Sequence, residues 1–165
     1  MSVEIAVNDP SWTRDLPAGE RTVRRAALAA LKGRLGAGPA ELSVLLTDDQ
    51  EMRRLNREYR AIDAPTNVLA FESDAAGSGA VRLLGDVALA FGTLRREAEE
   101  RGIETADHLA HLVVHGVLHL LGYDHDTDGT AAVMERTEAE ILARLGVADP
   151  YAGEMSGGVN PTRER

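Results

Sequence analysis

The feature that most constrains this chain is the run HGVLHLLGYDH, which begins at His115 and ends at His125. His115 and His119 are four residues apart, so on a helix they lie on the same face, one turn from each other. Apolar residues recur at three- and four-residue spacing over residues 106–121, which predicts that helix. Gly122 can adopt the left-handed conformation that ends a helix. We therefore expect the turn to bring His125 back towards the first two imidazoles.

Three imidazoles without another protein ligand are typical of a catalytic zinc site. Structural zinc is closed by a fourth side chain, whereas catalytic zinc leaves that position to water. The chain has no cysteine, so no thiolate competes for the metal. We predict one Zn²⁺ per chain, bound by His115, His119 and His125. The other two histidines, His108 and His111, lie on the same helical stripe and can be explained as packed side chains.

A calcium site is the alternative to zinc, and it overlaps the histidine run. The segment DHDTDG, which starts at Asp124, and Glu135 further on match the calcium loop of an EF-hand. Against this interpretation, Ala131 stands where a paired hand has a larger apolar residue, and the chain has no second hand. Asp126 and Asp128 can instead be explained as capping and first-turn acids of the next helix. The spacing of the imidazoles favours zinc.

Hydrophobic patterning predicts an α+β fold with a small mixed sheet of about four strands and with the histidine helix packed on one of its faces. A loop rich in glycine, serine and alanine is expected on the surface at residues 73–80. We expect strands at residues 3–7, 42–46, 67–71 and 84–90, and helices at residues 19–35, 48–59, 92–101, 106–121 and 130–145.

The length of 165 residues suits one domain, which we place at residues 1–151. Residues 152–165 lack periodicity and are expected to form a disordered tail. The chain starts without the basic stretch and long apolar run of a signal peptide, and no apolar segment approaches the length of a membrane span. The sequence therefore predicts a cytoplasmic protein without a membrane partner, and the absence of cysteine agrees with a reducing compartment.

The charge distribution leaves room for a nucleic-acid partner. The formal net charge of -9 argues against one, because phosphate binding depends on lysine and arginine. However, residues 14–60 hold ten basic against seven acidic side chains, so a local basic face is possible; solvated helix surfaces would explain the same arginines. With only two Phe, three Tyr and one Trp, base stacking is limited and recognition of the backbone is favoured.

The spacing of the three histidines, with a glycine between the second and the third, is that of metzincin proteases. Those enzymes carry a glutamate general base directly after the first histidine. Here that position is Gly116, so a peptidase would have lost its base. Zinc lowers the pKa of a bound water to about 7, and hydroxide can therefore form at neutral pH without a strong protein base.

Beyond the histidines, the sequence resembles the YbeY endoribonucleases, which are rRNA maturation factors. The resemblance covers nearly the whole chain except the tail. The shared motifs are HGVLHLLGYDH from His115, LNREYRAIDAPTNVLAF from Leu55, LGDV from Leu84, and the closing pairs Met134-Glu135, Ile141-Leu142 and Leu145-Gly146. In the second motif Asn67 and Ala70 depart from the expected form, in which aspartate and serine are usual.

This resemblance implies a metzincin-like fold and a cytosolic, zinc-dependent endoribonuclease specific for single strands. It also implies a role in 16S rRNA 3′-end maturation and ribosome quality control. The partners would be single-stranded RNA or rRNA and ribosomal small-subunit components, with no DNA expected. The alternatives are a metal-dependent hydrolase of a peptide or amide and a non-catalytic, metal-binding ribosome factor.

Arg60 corresponds to the important arginine of the family, and its chemistry suits the role. A guanidinium matches phosphate oxygens bidentately, so Arg60 is expected to bind the scissile phosphate and stabilise the charge that develops as water attacks. The alternative is a surface ion pair with Asp63 or Glu58. Asp86 is a second candidate, which would orient a ligand histidine through a hydrogen bond; it could equally be a turn residue at the end of a strand.

Overall fold

The computed structural model describes residues 1–36, 38–73 and 81–152. Of the predicted loop and tail, only Ser73 and Ala152 fall within these ranges, and the rest of both predictions lies outside the described residues. None of the described helices is long and apolar enough to cross a membrane. The strands are β1 (Ser2–Val7), β2 (Ala40–Thr47), β3 (Val68–Glu72) and β4 (Arg82–Ala90), and the helices are α1 (Ser11–Asp15), α2 (Gly19–Leu31), α3 (Asp49–Arg60), α4 (Phe91–Arg101), α5 (Thr105–Leu120) and α6 (Asp128–Arg144).

The strands form one mixed sheet in the order β1-β2-β4-β3. β2 is parallel to both of its neighbours, β1 and β4, whereas β3 at the edge is antiparallel to β4. Parallel neighbours need crossover connections, and α2 lies on the connection between β1 and β2. The predicted α+β fold with a small mixed sheet and a histidine helix is confirmed.

Helices cover both faces of the sheet. Alternate residues of a strand point to opposite faces, so Val87 and Ala88 of β4 belong to different layers. Val87 joins the larger core with α2, α5 and α6, whereas Ala88 packs with Met52 of α3 and Leu69 of β3. The histidine helix α5 is thus buried between the sheet and its neighbouring helices, and α3 lies on the other side.

The close approach of α5 to the sheet depends on Gly116. A Cβ atom added at this position would lie 2.9 Å from Cγ1 of Val87 and 3.3 Å from Cγ2 of Val68. Any larger side chain would push the helix away from β3 and β4, since buried side chains cannot overlap. At this position, where metzincin proteases carry their glutamate base, even a methyl group would require Val87 or α5 to shift.

Two predicted boundaries differ from the structure near the N-terminus. The short helix α1 follows β1 where only a turn was expected, because five residues are too few to show helical periodicity. α1 is held by Trp12, which is 2% exposed and donates from Nε1 to the carbonyl oxygen of Thr47 at 2.9 Å. The predicted helix 19–35 is wrong at its end: α2 stops at Leu31 because Gly33 adopts a left-handed conformation with φ of 75°.

Candidate metal centre

The last turns of α5 and the turn that follows it bring three histidines together. His115 and His119 project from the end of α5, with their Nε2 atoms 3.1 Å apart. Gly122 then adopts a φ of 101°, and its amide donates to the carbonyl oxygen of His119 at 3.0 Å. This reversal places the ring centroid of His125 5.1 Å from that of His119. The three imidazoles therefore converge as expected from the sequence.

The geometry of the three rings fits a metal ion. One ligand nitrogen from each of His115, His119 and His125 lies within 4.8 Å of the others, and no other group of histidine, aspartate or glutamate side chains in the described ranges is arranged in this way. Nε2 of His125 is buried and has no hydrogen-bond partner within those ranges. A buried polar atom without a partner is costly, so this nitrogen indicates a ligand that completes the site.

The electrostatics of the site suit ligand imidazoles. Burial, together with the nearby His115 and His125, lowers the pKa of His119 to about 4. His119 is therefore neutral near pH 7, as a metal-binding imidazole must be. Imidazole nitrogens bind zinc and other divalent ions of the first transition row.

A carboxylate that sequence reasoning missed lies beside this group. Glu138 of α6 is fully buried, and its Oε2 accepts a hydrogen bond from Nδ1 of His115 at 2.6 Å. Its Oε1 accepts from Nε2 of His111 at 2.9 Å and from the hydroxyl of Tyr151. Burial alone would raise the pKa of Glu138, but the hydrogen bonds from His111 and His115 outweigh it and hold the pKa well below its usual range. Glu138 is therefore ionised at neutral pH.

The sequence carries only a weak signal for Glu138, because it stands among other charged residues in the helix segment MERTEAE. Its partner His115 is 23 residues away, and only the packing of α6 against α5 joins the two. The expectation that Asp86 orients a ligand histidine is wrong: its side chain is exposed and makes no hydrogen bond to the three histidines in the described structure. By the alternation of side chains in β4, Asp86 lies on the same face as Ala88, opposite to Val87 and α5, so its carboxylate is directed away from the histidines.

The two remaining histidines of α5 are buried outside the group of three. His108 is fully buried, and its Nε2 is 2.9 Å from Oε1 of Glu97, which also accepts from Nδ2 of Asn67 at 2.9 Å. Burial lowers the pKa of His108, against the opposing effect of Glu97. His111 contacts Glu138. Their interpretation as packed side chains is consistent with this burial.

Arg60, His115 and His119 line one cavity. It has a volume of about 330 Å³ and lies between α3, β3 and α5, with Arg60, His115 and His119 in its wall. Nη2 of Arg60 donates to the carbonyl oxygen of Ala70 at 3.0 Å. The positive charge of Arg60 also contributes, as a smaller effect than burial, to the low pKa of His119.

The alternative ion pairs of Arg60 are not formed within the described structure. Asp63 binds Arg53 at 2.8 Å and lies 3.7 Å from Arg57, while Glu58 binds Arg54. The charge of Arg60 is thus not neutralised by a carboxylate in the described ranges. It is available to an anion that enters the cavity.

Three acidic residues of the calcium alternative, Asp124, Asp126 and Asp128, lie at or just before the start of α6, and Glu135 lies within the helix. Thr127 is the N-cap, its side chain accepts from the amide of Thr130, and Asp128 lies in the first turn. Oδ1 of Asp124 accepts from the amide of Asp126 at 3.2 Å. Among the described residues these carboxylates do not converge into a group that could hold a metal ion. The role of Asp128 as a first-turn acid agrees with the structure, whereas the cap is Thr127 and not Asp126.

Comparison with known proteins identifies the same family as the sequence motifs did. The family model described as "Endoribonuclease YbeY" matches residues 7–146. Among curated relatives, Endoribonuclease YbeY of Paramagnetospirillum magneticum is 51% identical over 159 residues, which cover 92% of this chain and 97% of the relative. Endoribonuclease YbeY of Rhodopseudomonas palustris is 46% identical over 161 residues and covers 93% of this chain and 83% of the relative.

A solved structure supports the fold independently. The solution structure of a protein from Thermotoga maritima superposes with a TM-score of 0.57, covering 96% of this chain and 97% of the other at 20% identity. The resemblance inferred from the sequence motifs is confirmed by the family match and by the curated relatives. The chain belongs to the YbeY endoribonuclease family.

Proposed function

We propose that this protein is a zinc-dependent endoribonuclease that hydrolyses phosphodiester bonds of single-stranded RNA during 16S rRNA 3′-end maturation and ribosome quality control. The observation that carries the proposal is the convergence of His115, His119 and His125, two of which, His115 and His119, line a cavity together with Arg60. Family membership supports the RNA substrate, since the matching family and the curated relatives are named endoribonucleases.

Each residue of the site has a distinct role in this proposal. The three imidazoles would hold Zn²⁺ through three nitrogens and leave a coordination position open to water. When bound, zinc would polarise a phosphoryl oxygen and lower the pKa of water. Arg60 binds the scissile phosphate, because its guanidinium has no carboxylate partner in the described structure and lies in the wall of the same cavity. As negative charge develops on the phosphoryl oxygens, Arg60 stabilises it.

Two features favour RNA over a peptide as the substrate. Gly116 replaces the glutamate base, and any side chain at this position would be crowded by Val87. A peptide could bind by adding a strand to the sheet edge at β3, which requires free backbone groups on that edge. The carbonyl oxygen of Ala70 in β3 is already taken by Arg60. The edge of the sheet at β3 therefore offers a peptide strand one free backbone hydrogen-bond acceptor fewer.

The finer assignments follow from the same family membership. We propose that the catalytic unit is a single domain at residues 1–151 and that it works in the cytoplasm, in contact with small-subunit components of the ribosome. The absence of a membrane-spanning helix among the described residues is compatible with this location.

The proposal is tested with metal-loaded protein on three substrates: a single-stranded RNA, the same RNA annealed to its complement, and an unstructured peptide. We expect cleavage of the single strand, loss of cleavage with a chelator and recovery with Zn²⁺. Cleavage of the peptide would support the alternative hydrolase. A folded, metal-loaded protein that cuts none of the substrates would contradict the enzymatic proposal and favour a non-catalytic ribosome factor.

A further inference from the structure

Glu138 is a buried carboxylate that is hydrogen-bonded by two histidines and one tyrosine. It is fully buried in α6, and its hydrogen-bond donors are His111, His115 and Tyr151. No lysine or arginine of the described ranges forms an ion pair with it. A buried carboxylate is costly unless it is fully hydrogen-bonded or lies close to a cation. Its negative charge is separated from the group of three ligand nitrogens by a single imidazole ring.

We propose that Glu138 is a positioning residue of the metal centre. It holds the ring of His115 with Nε2 directed at the ion, and it provides a buried negative charge that strengthens the binding of a cation. This inference rests on the metal site proposed above.

The argument begins with the tautomer of His115. An ionised carboxylate can only accept hydrogen bonds, so the contact between Oε2 of Glu138 and Nδ1 of His115 places the proton on Nδ1. Nε2 of His115 is then the unprotonated nitrogen, and it faces Nε2 of His119 at 3.1 Å. Because the hydrogen bond at Nδ1 already fixes the orientation of the His115 ring, the ring does not have to be reoriented when the ion binds. Such contacts between a carboxylate and a ligand histidine also raise the basicity of the ligand.

His111 and Tyr151 support Glu138 from its other oxygen. Both contact Oε1, which leaves Oε2 for His115. Tyr151 follows α6 in the sequence and reaches back to the middle of that helix, and its hydroxyl is also 3.1 Å from Nε2 of His111. These contacts fix the carboxylate plane and stabilise its ionised form, so a small change at Tyr151 should reach the metal site through Glu138.

A purely structural role for Glu138 is the competing explanation, and the chain contains a matched control for it. Glu97 contacts the buried His108 on the same helix at 2.9 Å, and His108 lies outside the group of three histidines. Both pairs join a glutamate of a neighbouring helix to a buried imidazole of α5. Replacing either glutamate with glutamine removes the negative charge and keeps the shape of the side chain, although Glu97 is 18% exposed and Glu138 is fully buried. Only the change at Glu138 should weaken metal binding.

The experiment compares wild-type protein with the variants Glu138→Gln, Tyr151→Phe and Glu97→Gln. Zinc affinity is measured by competition with a chromophoric chelator, and the His115 tautomer of the metal-free protein by two-bond ¹H–¹⁵N NMR. Glu138→Gln should weaken zinc binding by about 10- to 100-fold. Tyr151→Phe removes one hydrogen-bond donor to the carboxylate of Glu138 and should weaken zinc binding by roughly threefold. Glu97→Gln should lower the melting temperature but keep zinc affinity within about twofold, since Glu97 contacts no ligand histidine.

In the wild type, the NMR spectrum should show the proton of His115 on Nδ1, and this preference should be reduced in Glu138→Gln. A folded Glu138→Gln with wild-type zinc affinity contradicts the role of Glu138, as does an equal loss in Glu97→Gln. If Glu138→Gln does not fold, Tyr151→Phe decides: weaker zinc binding supports the role, and unchanged binding overturns it. A wild-type protein that binds no zinc contradicts instead the metal site on which the inference rests.

Discussion

The two ends of α5 carry similar histidine–carboxylate pairs that differ in what the second ring nitrogen meets. Near the start of the helix, His108 pairs with Glu97, and its Nδ1 is buried without a partner in the described structure. Near the end, His115 pairs with Glu138, and its Nε2 faces His119 at 3.1 Å. The pairs share their chemistry, and both imidazoles are buried, but the side chain of Glu97 is 18% exposed and that of Glu138 only 1%. A contact between a buried histidine and a carboxylate alone therefore does not make a metal site. The additional imidazoles, supplied by helical spacing and by the turn after α5, distinguish the second pair.

The largest effect is expected from removing one histidine at each end of α5. His119→Ala deletes one of three ligands, so zinc binding and RNA cleavage should be lost while the fold persists. His108→Gln should leave both intact and lower the melting temperature by several degrees, because it disturbs only a buried hydrogen-bonded pair. Elemental analysis, RNA cleavage and thermal denaturation on the two variants test this. Loss of zinc in His108→Gln would contradict the assignment of the metal site to the C-terminal end of α5 alone.

Arg60→Lys should give the next largest effect. The substitution keeps the charge but removes the planar guanidinium, so the protein should fold, retain zinc and cleave RNA more slowly. The loss of one donor to the transition state is typically about 3 kcal/mol, or roughly a hundredfold in rate. Arg57→Lys on the same helix is the control, because Arg57 lies beside Asp63 and does not line the cavity. Near-normal cleavage of RNA by Arg60→Lys would contradict the role of Arg60 in binding the scissile phosphate.

A smaller effect is expected where α5 meets the sheet. Gly116→Ala would place a Cβ atom 2.9 Å from Val87, so the free energy of unfolding should fall by about 1–3 kcal/mol. Gly129→Ala in α6 meets its nearest neighbour only at 3.9 Å and should be neutral or slightly stabilising. Urea denaturation of both variants gives the comparison. Equal stability of the two would show that α5 does not depend on a glycine at this contact.

The last expected effect concerns the acid sensitivity of the metal-free protein. The pKa of His119 is lowered to about 4 in the folded state, so between about pH 6.5 and 4 the unfolded chain binds a proton that the folded chain does not. Folding stability should therefore decrease as the pH falls through this window. His119→Gln removes the titrating group and should flatten the decrease, as measured by melting temperature in the presence of a chelator. Parallel curves for the two proteins would exclude a low pKa for His119.

Local sequence patterns account for most of the fold and for the three histidines. Periodic apolar residues predicted five of the helices and all four described strands, because burial of one face imposes that spacing. The positions of His115 and His119 follow from one helical turn, and Gly122 marks the reversal that brings His125 back. These features depend on residues close together in the chain, so they can be derived without tertiary structure.

Features that depend on contacts between distant elements could not be predicted in this way. Glu138 meets His115 across the α5–α6 contact, and the segment MERTEAE does not reveal which of its acids is buried. The helix α1 depends on Trp12 and its bond to Thr47, 35 residues away. The hydrogen bond of Arg60 to Ala70 depends on the position of α3 beside the edge strand. In each case the deciding interaction is set by packing and not by local pattern.

The central claim, that three imidazoles of this chain bind one catalytic metal ion, is tested most directly by X-ray absorption at the zinc edge on the zinc-loaded protein. The account predicts one zinc per chain with three imidazole nitrogens at about 2.0–2.1 Å and one oxygen ligand from solvent. The same spectrum of the His119→Ala variant should lose this signature. A wild-type spectrum dominated by carboxylate oxygens, or zinc bound equally well by His119→Ala, would contradict the claim.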